Sequence, residues 1–177
     1  MLVQILVCVI IVIGFVCFLA SRRPNNFRYE RSNTINASPS TIFPHVNNLR
    51  KWEDWSPWAK IDPNCTTTYE GPAEGIGAIT KWEGNAKVGK GIMTILESNP
   101  NELIKIKLEF LKPMKGISTA EFTFKPEGGA TNVIWSMYGE NGFAGKLMSL
   151  VMNCDDMMAK QFDKGLAQLK TVSEAGK

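Results

Sequence analysis

The first part of the chain is almost uninterruptedly apolar. Residues 2–20 carry no charged side chain, and Gln4 is their one polar residue. A stretch of roughly 19 residues is close to the 20 or so that an α-helix needs to cross a bilayer. It ends abruptly at Ser21-Arg22-Arg23-Pro24. The pattern therefore predicts a transmembrane helix over residues 1–21.

A cleaved signal peptide is the competing interpretation of this segment. Such a peptide begins with a basic region, has a shorter apolar core and ends at small residues. No Lys or Arg precedes the apolar run, and Phe18-Leu19-Ala20 is a poor cleavage site. We therefore expect a retained, single-pass anchor in the inner or cytoplasmic membrane. Because basic flanking residues favour the cytoplasmic side, Arg22 and Arg23 predict that the following domain faces the cytoplasm.

After a linker over residues 22–26, residues 27–36 fit a first strand, and a helix start follows. Ser38 is a favourable N-cap, and Pro39 is a favourable first helical residue. The helix itself is indicated by apolar residues at helical spacing, namely Ile42, Phe43, Val46 and Leu49. Pro44 lacks the N–H that a helix interior needs, so it predicts that this helix is kinked or split.

The middle of the chain changes to a hydrophobic period of two, which is typical of strands. The predicted strands cover residues 66–70, 78–82, 88–97 and 103–111, with further strands around residues 120–124 and 133–137. The clearest alternation is in the fourth of these, where one side carries Ile104, Ile106, Leu108 and Phe110. One-sided alternation in successive hairpins indicates an antiparallel sheet with one buried face.

A long final helix is predicted from about Gly145 to Val172. Its apolar stripe consists of Met148, Val151, Met158, Phe162, Leu166 and Leu169. The order of one strand, one helix, several strands and a long helix predicts an α+β fold. In this fold a curved antiparallel sheet wraps around the long C-terminal helix. The domain covers residues 27–173 and is followed by a tail over residues 174–177.

Charge and cysteine content exclude several classes of function. The net charge is +3, and Lys and Arg are scattered among Asp and Glu, so we expect no nucleic-acid partner. Cys65 and Cys154 lie far apart without Cys/His spacing, and we expect neither a metal site nor a cofactor. A disulfide between them is a candidate only if the domain is exported rather than cytoplasmic.

Several short stretches together resemble one known family. They are Arg31-Ser32, Trp52-x-x-Trp55-Ser56-Pro57-Trp58, Trp82-Glu83-Gly84-Asn85, Val88-Gly89-x-Gly91-x-Met93, Leu108-Glu109-Phe110-Leu111-Lys112-Pro113 and Lys164-Gly165-Leu166-x-x-Leu169. Over residues 27–172 the chain resembles the polyketide cyclase/dehydrase and lipid-transport branch of the START-like (SRPBCC) superfamily, whose fold is the helix-grip. The resemblance implies an apolar cavity between the sheet and the long helix for a lipid, steroid or polyketide-like molecule. It does not imply one activity, since members bind, carry, cyclise or dehydrate.

Ligand-binding candidates follow from the inward-facing strand positions and from the helix opposite them. They are Trp82, Met93, Phe110, Trp135 and Met137 from the strands, and Met148 and Met152 from the helix. Flexible thioethers suit an adaptable pocket, although methionine also fills ordinary cores. Trp55 and Trp58 either line the entrance or pack the aromatic loop over the sheet, and the sequence leaves both interpretations open.

Asp155 is the one acid–base candidate in the sequence. It lies two helical turns from both Met148 and Phe162, which places it on the apolar stripe of the predicted helix. Burial there would favour the protonated carboxyl group and make it a proton donor. In the alternative interpretation the stripe drifts around the helix, and Asp155 sits in water beside Asp156.

Three functions remain open from the sequence. The first is a membrane-anchored domain that binds or carries a hydrophobic small molecule in an apolar cavity. The second is a cyclase or dehydratase that acts on a hydrophobic substrate, and the third is a membrane-associated stress-response or interaction module. His45 is the only histidine and no GxSxG element accompanies it, so a Ser/His/Asp hydrolase is not expected.

Overall fold

The computed structural model describes residues 1–175. Its helices are α1 (Leu2–Ser21), α2 (Pro39–Asn47), α3 (Trp52–Trp55), α4 (Phe143–Val151) and α5 (Cys154–Glu174), and a 3-10 turn, Leu49–Lys51, joins α2 to α3. Its strands are β1 (Asn26–Ile35), β2 (Thr66–Glu70), β3 (Ile79–Glu83), β4 (Lys90–Asn99), β5 (Leu103–Lys112), β6 (Gly116–Glu127) and β7 (Ala130–Glu140). Of the predicted tail, Glu174 ends α5, and residues 176–177 lie outside the described residues.

The strands form one antiparallel sheet in the order β1-β7-β6-β5-β4-β3-β2, which confirms the predicted α+β helix-grip fold. Asn26 pairs with Glu140, and Phe110 pairs with Gly116. Because all neighbours are antiparallel, the start of β1, the end of β7 and the β5–β6 turn share one end of the sheet. We call this end the α1 end, since α1 leads into β1 there. The β4–β5 and β6–β7 turns lie at the opposite, distal end.

Helix α5 runs beside β1 and is held to it by polar contacts near its C-terminus. The Lys170 ammonium donates a hydrogen bond to the Thr34 carbonyl at 2.9 Å. The Glu174 carboxylate accepts one from the Asn36 backbone N–H at 2.7 Å. The other side of α5 packs on the sheet through buried apolar residues, chiefly Phe162, Leu166 and Leu169.

Aromatic rings around Trp135 form the centre of the core. The Trp135 ring is stacked between Phe162, with centroids 4.3 Å apart, and Phe122, with centroids 4.9 Å apart. Trp55 and Trp58 approach it edge-on at 5.6 Å and 5.8 Å. Each such pair adds to the stabilisation that burial of its apolar surface gives. These rings therefore fix α3, α5 and the centre of the sheet against one another.

The prediction of one uninterrupted helix over residues 145–172 is wrong. The backbone of Met152 is extended, with φ −118° and ψ 136°, and it separates α4 from α5. The Asn153 side chain accepts a hydrogen bond from the Asp156 N–H and so caps a new helix. Apolar periodicity continues across this break, and for that reason the sequence pattern did not reveal it.

Pro44 does not divide α2 as predicted, because the helix runs from Pro39 to Asn47 through it. The missing N–H would have bonded to the carbonyl of Ser40, and Ser40 is exposed to solvent. The unpaired carbonyl therefore lies at the solvent side of a short helix.

The loop formed by α2 and α3 is held together by indole hydrogen bonds. Trp55 Nε1 donates to the backbone oxygen of His45 at 2.9 Å. The His45 side chain is half-buried, and within residues 1–175 its Nδ1 has no hydrogen-bond partner. Burial lowers the pKa of His45; the nearby Lys51 lowers this pKa further, and Asp54 opposes the shift.

Substitution of Gly165 tests the close packing of the aromatic core. A Cβ at this position of α5 would lie 2.7 Å from Cζ3 of Trp135 and 3.0 Å from Cδ of Pro57. Alanine favours a helix over glycine by about 1 kcal/mol. The Trp135 ring is stacked on both faces and cannot move aside, so we expect Gly165→Ala to lower the free energy of unfolding by about 1–3 kcal/mol in denaturant titrations.

The exposed position Ala167 on the same helix provides the control. There Ala167→Gly should cost only the intrinsic helix preference of about 1 kcal/mol. A Gly165→Ala protein more stable than the parent would contradict the packing described above.

Acidification tests the environment of His45. Because its pKa is lowered from 6.5, the folded protein binds this proton less readily than the unfolded chain does. Stability due to this group is complete above pH 6.5 and is lost progressively as the pH falls below that value. NMR titration of the only histidine should give a midpoint below 6.5, and His45→Gln should reduce the acid-dependent loss of stability. A midpoint above 6.5 would show that the imidazole is not desolvated.

Candidate functional site

Half-buried apolar side chains lie together on the helix-facing side of the sheet, toward its α1 end. In the strand register Met93 pairs with Leu108, and Gly91 lies between Trp82 on one side and Phe110 on the other. We call this group the apolar patch and define it as Trp82, Met93, Leu108, Phe110 and Met137. Leu108 was not among the predicted ligand residues, although the alternation of β5 had placed it on this side.

The Trp82–Phe110 pair forms the edge of the apolar patch. The two rings meet in a T-shaped arrangement with centroids 6.1 Å apart. Trp82 Nε1 donates a hydrogen bond to the carbonyl of Val88 at 3.2 Å, which fixes the orientation of the indole. A Cβ at Gly91 would overlap the Trp82 ring, so glycine at this position allows the ring to lie across β4.

The distal half of the same face is closed, unlike the apolar patch. Trp55 and Trp135, both predicted to contact ligand, are fully or almost fully buried in the aromatic core. Trp58 is half-buried against them. Side chains thus fill the predicted gap between sheet and helix over β6 and β7. The open part of the helix-facing side is the apolar patch.

One polar group lies beside the patch without a partner. Thr80 precedes Trp82 on the same side of β3 and pairs with Met93 across the strands. Thr80 is only 4 % exposed, and within residues 1–175 its Oγ1 makes no hydrogen bond. A buried hydroxyl without a partner is costly and is usually satisfied in native proteins. Thr80 is therefore a candidate for orienting a polar group of a ligand.

A surface depression of about 570 Å³ lies between the start of β1 and the junction of α4 with α5, and Tyr29 in its wall pairs with Met137 of the patch. Its size falls in the range of small-molecule sites. Its walls include Arg23, Arg28, Tyr29, Met152, Asn153 and Asp155. Of the two methionines predicted to face the sheet, Met152 lines this depression, and Met148 is half-buried on α4, which packs against α1.

Asp155 is exposed to water, as in the second of its two interpretations, and does not lie on a buried stripe. Because α5 begins at Cys154, Asp155 falls in the first helical turn, where it is exposed. An acidic residue is favourable there because it interacts with the positive end of the helix dipole. Its charge also affects Tyr29 in the same depression. Burial is the main cause that raises the pKa of Tyr29, and Cys154 and Asp155 raise it further.

Neither metal nor thiol chemistry is indicated in the part of the chain that the structure describes. Among residues 1–175, no group of three or more His, Cys, Asp or Glu side chains is placed to hold a metal ion. Cys65 and Cys154 are free and half-buried. The site therefore offers an apolar surface, one unpaired hydroxyl and a polar depression beside them.

Comparison with known proteins identifies both the family and the fold. Residues 26–174 match the model of the family described as polyketide cyclase/dehydrase and lipid transport. A comparison with curated protein sequences finds no significant match.

Solved structures with a similar fold include the di-domain ARO/CYC protein BexL from the BE-7585A biosynthetic pathway. It is 14% identical with a TM-score of 0.63, over 88% of this chain and 52% of BexL. The Aha1 dimer from Colwellia psychrerythraea is 17% identical with a TM-score of 0.59, over 85% of this chain and 98% of that one. Protein CV1439 from Chromobacterium violaceum is 16% identical with a TM-score of 0.59, over 86% of this chain and 99% of that one.

Identities this low establish the fold alone, and the assignment to a family rests on the sequence model. That match extends from the first residue of β1 to the last residue of α5, so it includes every strand and the apolar patch. The chain belongs to the polyketide cyclase/dehydrase and lipid transport family.

Proposed function

We propose that this protein is a membrane-anchored domain that binds or carries a hydrophobic small molecule, such as a lipid or polyketide-like compound, on the apolar patch. The observation that carries the proposal is the patch itself, where Trp82, Leu108 and Phe110 are only partly buried beside a closed aromatic core. The family of the chain includes lipid transport, which agrees with an apolar guest.

The energetic argument rests on the apolar surface that the patch leaves in contact with water. Covering apolar surface yields about 25 cal/mol per Å², and aromatic side chains contribute most per residue. The thioethers of Met93 and Met137 adapt to guests of different shape. A guest seated on the patch would release water from both surfaces, so the patch favours apolar molecules over polar ones.

The Thr80 hydroxyl adds a preference for one polar group on that guest. Since its Oγ1 is buried and finds no partner within residues 1–175, a hydroxyl or carbonyl oxygen on the ligand would complete its hydrogen bonding. A largely apolar molecule with a single oxygen function near one end matches this arrangement. Sterols and fatty acids meet that description, and a polyketide-like compound would offer one of its several oxygens.

Helix α1 supports the membrane part of the proposal. Its 20 residues span about 30 Å, its mean hydropathy over the most apolar window is 3.2, and none of that window is buried in the domain. Signal sequences share this length and composition. A retained anchor is favoured because the end of α1 is integrated with the domain: Ala20 is fully buried, and Asn25 of the linker is hydrogen-bonded by Asn141 and Lys146.

A cyclase or dehydratase is the second candidate function. It is favoured by Tyr29 and Asp155, an ionisable pair that lines one depression close to the patch. Turnover of a hydrophobic substrate that Tyr29→Phe abolishes without loss of binding would support the enzyme over the carrier. The third candidate function is a membrane-associated stress-response or interaction module. In that case no small molecule would bind to the patch.

Photo-crosslinking tests the apolar patch directly. A diazirine-bearing fatty-acid probe, added to the full chain in nanodiscs, should label peptides from β5 and β7 in competition with unlabelled fatty acid. Phe110→Ala removes one of the two aromatic rings of the patch and should weaken this labelling about tenfold, the effect of losing about 1.4 kcal/mol. Labelling of α1 by probe dissolved in the bilayer provides an internal reference that the substitution should not change.

The matched control is Leu96→Ala, at an exposed apolar position of β4 outside the patch. It should leave labelling of β5 and β7 unchanged. Saturable labelling that is equal in Phe110→Ala and the parent, or no saturable labelling at all, would contradict binding at the patch.

Membrane extraction and protease protection test the anchor and its orientation. The full chain should remain in membranes after alkaline carbonate treatment. Protease should digest the domain in inverted vesicles and spare it in intact spheroplasts, because Arg22 and Arg23 favour the cytoplasmic side. Ile10→Arg combined with Ile13→Arg places charges at the centre of α1 and should release protein to the soluble fraction. Digestion in spheroplasts would show the opposite orientation. A parent protein found in the soluble fraction would exclude the anchor.

A further inference from the structure

The α1 end of the sheet must lie close to any membrane that holds α1. Only residues 22–25 separate α1 from β1, and they can span at most about 14 Å. The linker is also fixed, since the backbone and side chain of Asn25 accept hydrogen bonds from Asn141 and Lys146. The α1 end of the domain therefore faces the membrane surface at which α1 ends.

Helix α4 carries a partly uncovered apolar side at this end, exposed at its first and last residues and half-buried between them. Its apolar residues recur with the spacing of one helix face and are Phe143, Leu147, Leu150 and Val151. Phe143 is 52% exposed and Val151 is 88% exposed. Helix α4 packs against α1, so these exposed residues lie on an element that directly adjoins α1. A helix of this kind typically lies in the interface of a bilayer.

The β5–β6 turn presents a second apolar surface at the same end. Leu111, Met114 and Ile117 are exposed, with Ile117 at 61%. Lys112 and Lys115 alternate with them and are exposed as well. Apolar side chains interleaved with lysines combine burial in the lipid interface with attraction to anionic headgroups. The turns at the distal end carry exposed acidic residues, namely Glu74, Glu102 and Glu127, and no such run of lysines among apolar residues; at the α1 end Glu83 and Glu140 are exposed as well.

We propose that α4 and the β5–β6 turn form a membrane-docking surface that inserts into the interface of the same bilayer that α1 crosses. The inference rests on the proposed anchor and extends it to the orientation of the whole domain. The occupant is the lipid surface, since two elements distant in sequence both expose apolar side chains at the one end that the anchor holds near the membrane, and one of them also carries exposed lysines.

This orientation has a consequence for the apolar patch. Phe110 directly precedes Leu111 at the end of β5, next to the turn, and Trp82 packs against Phe110. The edge of the patch is therefore adjacent to the lipid interface. A hydrophobic guest would pass between bilayer and patch without crossing bulk water, and the substrate class narrows to molecules that partition into that leaflet.

Spin labelling of the full chain in nanodiscs with anionic lipid tests the proposal. The native cysteines are first replaced by alanine, and single cysteines are then introduced at exposed positions. Val151→Cys and Ile117→Cys report on the docking surface, Ile76→Cys is the distal control at 63% exposure, and Ile10→Cys reports on the anchor. Relaxation by oxygen and by a water-soluble nickel complex gives the depth of each label.

We expect oxygen to relax the labels at Val151 and Ile117 more strongly than the nickel complex does, with at least a fivefold lower nickel accessibility than at Ile76. The label at Ile10 should lie deepest. If Ile10 is deep but Val151 and Ile117 are as accessible to nickel as Ile76, the anchor stands and the docking surface is excluded. If Ile10 itself is accessible to nickel, the proposed anchor fails, and the docking surface fails with it.

Discussion

The stacking of Trp135 between Phe122 and Phe162 is the contact on which the rest of the structure depends. It joins two central strands to α5, and Trp55 and Trp58 attach the helical loop to the same ring. Because these large rings fill the distal half of the helix-facing side, any guest is restricted to the half near α1. The position of the site thus follows from where the core is closed.

The break at Met152 and Asn153 determines how that remaining half is used. A continuous helix would have carried the apolar residues of α4 onward along the line of α5. Instead the extended Met152 and the Asn153 cap redirect the chain, and α4 packs against α1. The exposed side of α4 follows from this break, and the half-buried patch lies at the same end of the sheet. Both place apolar surface at one end of the molecule, next to the segment that can cross a bilayer.

The sequence was sufficient for the fold because local patterns there agree with the tertiary structure. The strand over residues 66–70 was predicted with its observed bounds, and the alternation in β5 placed Ile104 and Ile106 on the buried side correctly. The site was predicted only in part. Trp55 and Trp135 are buried, whereas Trp82 and Phe110 are only half-buried. This difference depends on which helix lies above each ring, and the strand pattern does not contain that information. Periodicity also continued through Asn153, so the sequence left both a buried and an exposed position open for Asp155. The capped start of α5 places it in water.

Native mass spectrometry of the full chain released from lipid nanodiscs tests the central claim most directly, because it detects a guest without presupposing its identity. The account predicts a stoichiometric apolar compound bound to the parent protein and depleted in a Trp82→Ala, Phe110→Ala variant that keeps its circular dichroism spectrum. A parent protein that is empty in every lipid mixture, or a guest retained in full by the double variant, would contradict it.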